Sequence, residues 1–173
     1  MLERHAQSPA GAVRSIEVRV RRRRDGLDAS YAVEGDLGRV LLPAPRSPRA
    51  AERLWEHTCC ELFVARKGAP GYEEFNFSPS GEWASYVFSD YRRTAGSKAR
   101  AIAPRIVSRL QGNRLLLETS VPLSVQGDLE LGLSAVIEEQ GGALSYWALR
   151  HPPGKPDFHH RGAFAMELDE VRD

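Results

Sequence analysis

An all-β fold of antiparallel sheets, closed as a sandwich or a barrel, is predicted by three features of this 173-residue sequence. Apolar and polar residues alternate over short runs, the period of strands that bury one face. Gly, Pro, Asn and Asp bound those runs at close intervals, as turns between strands require. No stretch holds a helical period of about 3.6 residues across successive turns, so no long helix is expected. Hydrophobic residues make up 42% of the chain, enough for a substantial core. With no internal repeat and no linker, residues 1–173 are expected to form one domain.

Ile16, Val18 and Val20 alternate with Glu17, Arg19 and Arg21, and Asp25-Gly26 supplies a hairpin signal before Leu27, Ala29, Tyr31 and Val33. A third piece, Arg39 to Leu42, ends at Pro43. Residues 43–52 are rich in Pro, Arg, Ser and Ala and are expected as a surface loop, with a short helix near Pro48 to Leu54. Thr58 to Ala65, Tyr72 to Ser78 and Glu82 to Ser89 are strands, separated by Lys67-Gly68, Pro70-Gly71 and Pro79-Ser80-Gly81. Residues 92–103 are polar and unpatterned and are expected as loop. Arg105 to Leu110 and Arg114 to Val121 flank a Gly112-Asn113 turn, and Leu129 to Ile137 and Leu144 to Leu149 flank Gly141-Gly142. A last strand, Ala163 to Leu168, follows a proline-rich loop. About ten strands at this spacing suit a sandwich or barrel.

The net charge of +1 offers no global attraction for nucleic acid or an anionic membrane. The run Arg21 to Arg24 is a solvated strand end, because nucleic-acid binding wants a wider basic field with interleaved aromatics. Met1 to Ser15 has no apolar signal-like core, and no segment has the length of a membrane span, so a cytoplasmic location is expected. Cys59 and Cys60 are adjacent and point to opposite faces of a strand, which makes a disulfide between them awkward and reduced thiols the expectation. No glycine-rich phosphate loop, Ser-His-Asp pattern or His-Glu-x-x-His occurs, and no metal site is expected.

Alternation over Leu54 to Arg92 sorts the side chains into two sets. Phe75 and Phe77 face the core, which turns Tyr72, Glu74, Asn76 and Ser78 the other way. If the three strands are neighbours, Glu61, Glu74 and Asn76 converge on one sheet face, edged by Trp55, Trp83 or Tyr86. Carboxylates and amides suit vicinal hydroxyls, and an aromatic ring covers the apolar side of a sugar. His159, in the loop with His151, Asp157 and His160, is placed to contact a ligand from above.

The segment from Leu54 to Phe63, followed by Tyr72-Glu73-Glu74-Phe75-Asn76-Phe77-Ser78-Pro79-Ser80-Gly81-Glu82-Trp83, resembles the DOMON-like group related to family 9 carbohydrate-binding modules. Leu117-Glu118-Thr119-Ser120-Val121-Pro122 and Pro156-Asp157-Phe158-His159 agree with it in style. The resemblance implies a jelly-roll or immunoglobulin-like sandwich, its strand order, and a role in binding a small ligand without catalysis. Sugar and haem are the ligand classes it brings. Glu61, Glu74, Asn76 and Trp83 are the site residues that match. The expected ligand is a carbohydrate or sugar derivative, and no cofactor is expected. Met166 lies inside a strand, which disfavours haem ligation, and the acidic residues are too scattered to indicate calcium. The alternatives from other classes are an interaction domain whose aromatic patch meets a protein partner or a second copy, and a glycosidase using Glu61 and Glu74.

Overall fold

The computed structural model describes residues 1–95, 103–123 and 125–171. Its strands are β1 (Glu3–Arg4), β2 (Val13–Arg23), β3 (Gly26–Gly35), β4 (Cys59–Arg66), β5 (Tyr72–Phe77), β6 (Trp83–Asp90), β7 (Arg93–Thr94), β8 (Arg105–Gln111), β9 (Arg114–Pro122), β10 (Leu129–Glu138), β11 (Leu144–Ala148) and β12 (Met166–Leu168). They form two antiparallel sheets. The larger runs β1-β11-β10-β4-β5-β6-β7, with β12 beside β11 on the same edge of β10. The smaller runs β2-β3-β9-β8.

The sheets bury their alternating apolar faces against each other. Ile16, Tyr31 and Leu117 from the smaller sheet meet Leu62, Phe75, Leu131 and Leu133 from the larger, all essentially without exposure. Tyr31 brings a polar ring into this contact, and its hydroxyl donates to the backbone carbonyl of Glu61 at 2.7 Å. A buried hydroxyl needs such a partner. This bond ties β4 to the opposite sheet directly beneath a residue of the candidate site.

The expected strands form with small shifts at their ends, and several regions differ. Arg39 to Leu42 is not a strand: a 3-10 turn at Leu37–Arg39 leads into a single bridge from Val40 to Glu139. The short helix expected near Pro48 to Leu54 is a 3-10 turn at Leu54–Glu56. The last strand shrinks to Met166–Leu168, because a 3-10 turn at Arg161–Ala163 precedes it and Phe164 folds over the larger sheet. The hairpin turn falls on Arg24 and Asp25, and Gly26 lies inside the ladder between Arg23 and Pro122. A Cβ on Gly26 would sit 2.1 Å from the Val121 carbonyl oxygen, so the glycine serves close strand approach. The loop expected over 92–103 opens with β7, and residues 96–102 lie outside the described residues. β1 goes unannounced in the sequence, since two residues carry too little pattern.

Cys59 and Cys60 are free and buried on opposite faces, Cys60 in the inter-sheet core and Cys59 on the outer face with Leu54 and Ala84. Among the described residues no helix is long and apolar enough to cross a membrane.

Candidate ligand-binding site

The outer face of the larger sheet is itself covered at its margins, which leaves a cleft over its middle. Register places the side chains in rows across the strands. One row runs Ser134, Glu61, Asn76 and Ala84. The next runs Gly132, Phe63, Glu74 and Tyr86, and on the other side Tyr146, Val136 and Cys59 line up. At one end Phe63, Tyr72, Phe88 and Phe164 form an aromatic cluster. Gly132 makes room for it: a Cβ there would meet Phe164 at 3.1 Å and the Phe63 Cβ at 3.3 Å.

At the opposite margin the loop before β4 packs Leu54 against Cys59 and Ala84. It is anchored through Trp83, whose backbone N–H donates to the Arg49 carbonyl and whose carbonyl accepts from the Ala51 N–H. Arg49 also holds Glu82 at 2.6 Å, and this hydrogen bond keeps the Glu82 carboxyl below its ordinary range. The anchored loop carries Trp55, which meets Tyr86 edge-on at 5.7 Å and stays 40% exposed.

Between these margins lies a cleft of about 660 Å³. Glu61, Glu74 and Val136 line its sheet side, Trp55 and Tyr86 stand over β6, and Tyr146 and Phe158 over β11. Its size falls in the range of small-molecule sites, and its lining is a few polar groups among aromatic rings. A second groove, about 470 Å³, crosses the outer face of the smaller sheet. Its charged walls include the pair Arg109–Glu118, whose side chains are roughly half exposed and neutralise each other.

Two carboxyl groups lie at the bottom of the larger cleft. Glu61 is 3% exposed, and its Oε2 accepts from the Ser134 hydroxyl at 2.9 Å. Burial, with the nearby charge of Glu74, pushes its pKa up to about 8 against the pull of the Ser134 hydrogen bond. Glu74 is 5% exposed, and its Oε1 accepts from the Asn76 amide at 2.7 Å. Burial raises it to about 7, with Asn76 and the charge of Arg92 opposing. Oε1 of Glu61 and Oε2 of Glu74 have no hydrogen-bond donor among the described residues.

His159 closes the end of the cleft. Its ring packs edge-on against Phe63 and Phe88, and burial together with the charge of Arg92 lowers its pKa to about 4. The imidazole is therefore neutral at physiological pH, and its tautomer follows from its neighbours. The Tyr72 hydroxyl accepts from the Arg92 backbone N–H at 3.1 Å and has His159 Nδ1, at 2.8 Å, as its one acceptor among the described residues, so its proton goes there. Nε2 then carries the ring proton and lies 3.7 Å from Glu74 Oε2, beyond a direct hydrogen bond. Asp157 fixes the loop: it accepts from Tyr91 Oη at 2.6 Å, from Arg92 at 3.0 Å and from the His159 amide at 3.1 Å. Burial raises its pKa, and these bonds outweigh burial and hold it low.

The structure thus brings Glu61, Glu74, Trp55, Tyr86 and His159 to one cleft. Asn76 has no exposure and lies beneath Glu74, where it positions the carboxylate. Trp83 departs from the expectation. It pairs with Phe77, whose side chain is in the inter-sheet core, so it faces the side opposite Tyr86. Ser134, Val136, Tyr146 and Arg92 are site residues that the sequence does not single out. The first two follow from alternation against Leu131, Leu133 and Ala135 once β10 is known to border β4. Arg92 sits at a turn with φ of 51° and carries no periodic signal.

Solved structures share this fold. A protein from Bacteroides uniformis ATCC 8492, provisionally described as carbohydrate-binding, superposes with a TM-score of 0.57 at 17% identity, over 90% of this chain and 79% of that one. A family 9 carbohydrate-binding module from Caldicellulosiruptor kristjanssonii, in complex with glucose, gives 0.56 at 11% identity over 99% of this chain and 86% of that one. The Caldicellulosiruptor kristjanssonii family 9 module in complex with cellotriose gives 0.56 at 12% identity over 96% and 80%. No protein-family model and no curated protein sequence matches the chain.

Proposed function

We propose that this chain is a non-catalytic binding domain for a carbohydrate or sugar derivative, of the DOMON-like kind, with its ligand in the cleft of the larger sheet. The observation that carries the reading is the pairing of two buried carboxyl groups, Glu61 and Glu74, with an aromatic wall of exposed Trp55 and half-buried Tyr86. Sugar rings present hydroxyls at the edge and C–H groups on the face, and these two kinds of lining match them. The fold shared with modules solved in complex with glucose and cellotriose supports the same reading.

Isothermal titration with glucose, cellotriose and a panel of other mono- and disaccharides tests it. A saturable heat that weakens at least about tenfold in Trp55→Ala and in Glu74→Gln is expected, since each removes one kind of ring contact. A panel with no binding, or binding equal in all three proteins, refutes the assignment. In that case an interaction surface for a protein partner or a second copy, centred on Trp55, takes its place.

A further inference from the structure

The carboxylates carry an inference about the charge of the ligand, and it rests on the sugar-binding reading above. Each uses one oxygen on a protein donor, Ser134 or Asn76, and keeps the other without a donor among the described residues. Glu61 and Asn76 are directly paired, so Glu61 and Glu74 are diagonal neighbours. Backbones at such positions lie about 7–8 Å apart, within reach of two glutamate side chains converging on one small ion.

The neighbouring cations of the chain are engaged elsewhere. Arg92 is paired with Asp157 at 3.0 Å and Arg53 with Glu56 at 2.6 Å. His159, the nearest ring nitrogen, is neutral and 3.7 Å away. Two nearly inaccessible carboxyl groups thus share a cleft, and among the described residues no cation is bonded to either. Without a partner the two groups meet the cost of burial by holding protons, and a positive charge supplied from outside lets both ionise and pairs them. Trp55 and Tyr86 suit the same ligand, because aromatic faces attract ammonium groups as well as sugar C–H bonds.

We infer that the ligand is an amino sugar, with its ammonium group donating to the free oxygens of Glu61 and Glu74 and its ring against Trp55 and Tyr86. A hydroxyl gives each carboxylate a neutral donor, whereas an ammonium gives two charge-assisted ones in a site of low dielectric.

Calorimetry at pH 7 on the full chain, with glucosamine, glucose, N-acetylglucosamine and methylammonium, tests the inference. Glucosamine is expected to bind at least about tenfold more tightly than the other three, the gain of one charge-assisted hydrogen bond over a neutral one. That margin is expected to vanish in Glu61→Gln and in Glu74→Gln. Glucose or N-acetylglucosamine binding as tightly as glucosamine overturns the amino-sugar inference and leaves sugar binding intact. Methylammonium binding as tightly as glucosamine overturns it too, because the ring then contributes nothing. Absence of any sugar binding overturns both readings. The four-ligand comparison uses the unaltered protein, so it remains decisive where a variant fails to fold.

Discussion

Replacing Glu61 with glutamine should stabilise the unliganded protein above neutral pH and do little below pH 5. Glutamine keeps the shape and can accept from Ser134, but it never ionises. The carboxyl of Glu61 has an ordinary pKa of 4.5 when unfolded and about 8 when buried. Because the folded value is the higher one, the stabilisation that this group supplies is complete below pH 4.5 and is lost as pH rises through 8. Each pH unit in that window costs about 1.4 kcal/mol. The loss is therefore about 3 kcal/mol at pH 7 and under about 1 kcal/mol at pH 5. His159 works in the opposite sense, since its folded value of about 4 lies below 6.5 and costs stability as pH falls. It is present in both proteins and cancels in their difference.

Thermal unfolding of wild type and Glu61→Gln at pH 5, 6, 7 and 8 measures the effect. The melting temperatures should separate with pH, the variant gaining about 5–10 °C between pH 5 and pH 7 for a chain of this size. A difference that stays constant from pH 5 to pH 8 refutes the claim that Glu61 is buried as an acid. With a saturating amino sugar the order should reverse, because the charge then has its partner.

Other substitutions separate site residues from supporting ones. Asn76→Ala should cost about 1–3 kcal/mol in denaturant unfolding, since Glu74 Oε1 loses its only donor among the described residues. Trp83→Ala should cost about 3–5 kcal/mol by emptying a buried position, whereas Trp55→Ala should cost about 1 kcal/mol or less and act on sugar binding. Equal destabilisation by the two tryptophan changes would contradict their placement. Tyr72→Phe should cost about 1–3 kcal/mol through two lost hydrogen bonds. In the same variant the nitrogen-15 NMR signals of His159 should cease to report a single Nε2–H tautomer, and an unchanged spectrum would show that Tyr72 does not set it.

Alternation by itself makes half of the site legible in the sequence. Phe75 and Phe77 on one side require Glu74 and Asn76 on the other, and register then sets Glu61 beside Asn76 and Tyr86 beside Glu74. Trp83 is ambiguous in the sequence because the alternation of β6 offers two faces and the chain alone does not say which aromatic is turned outward. Its pairing with Phe77 decides the matter. The irregular segments are less legible. Phe164, within a stretch patterned like a strand, lies on the outer face because Gly132 leaves a gap for it.

From the residues alone come the all-β class, the strands and the separation of polar from apolar faces, because strand pitch forces neighbours to opposite sides. Which outer faces stay open, and which are covered, is decided by tertiary structure. Glu61 and Glu74 are ordinary solvated glutamates by sequence. Their burial comes from two loops, one just before β4 carrying Trp55 and the other, far along the chain, carrying Phe158 and His159, closing over the sheet from either side. Desolvation depends on that enclosure rather than on residue type, so the properties that make the cleft a candidate site exist only in the folded chain.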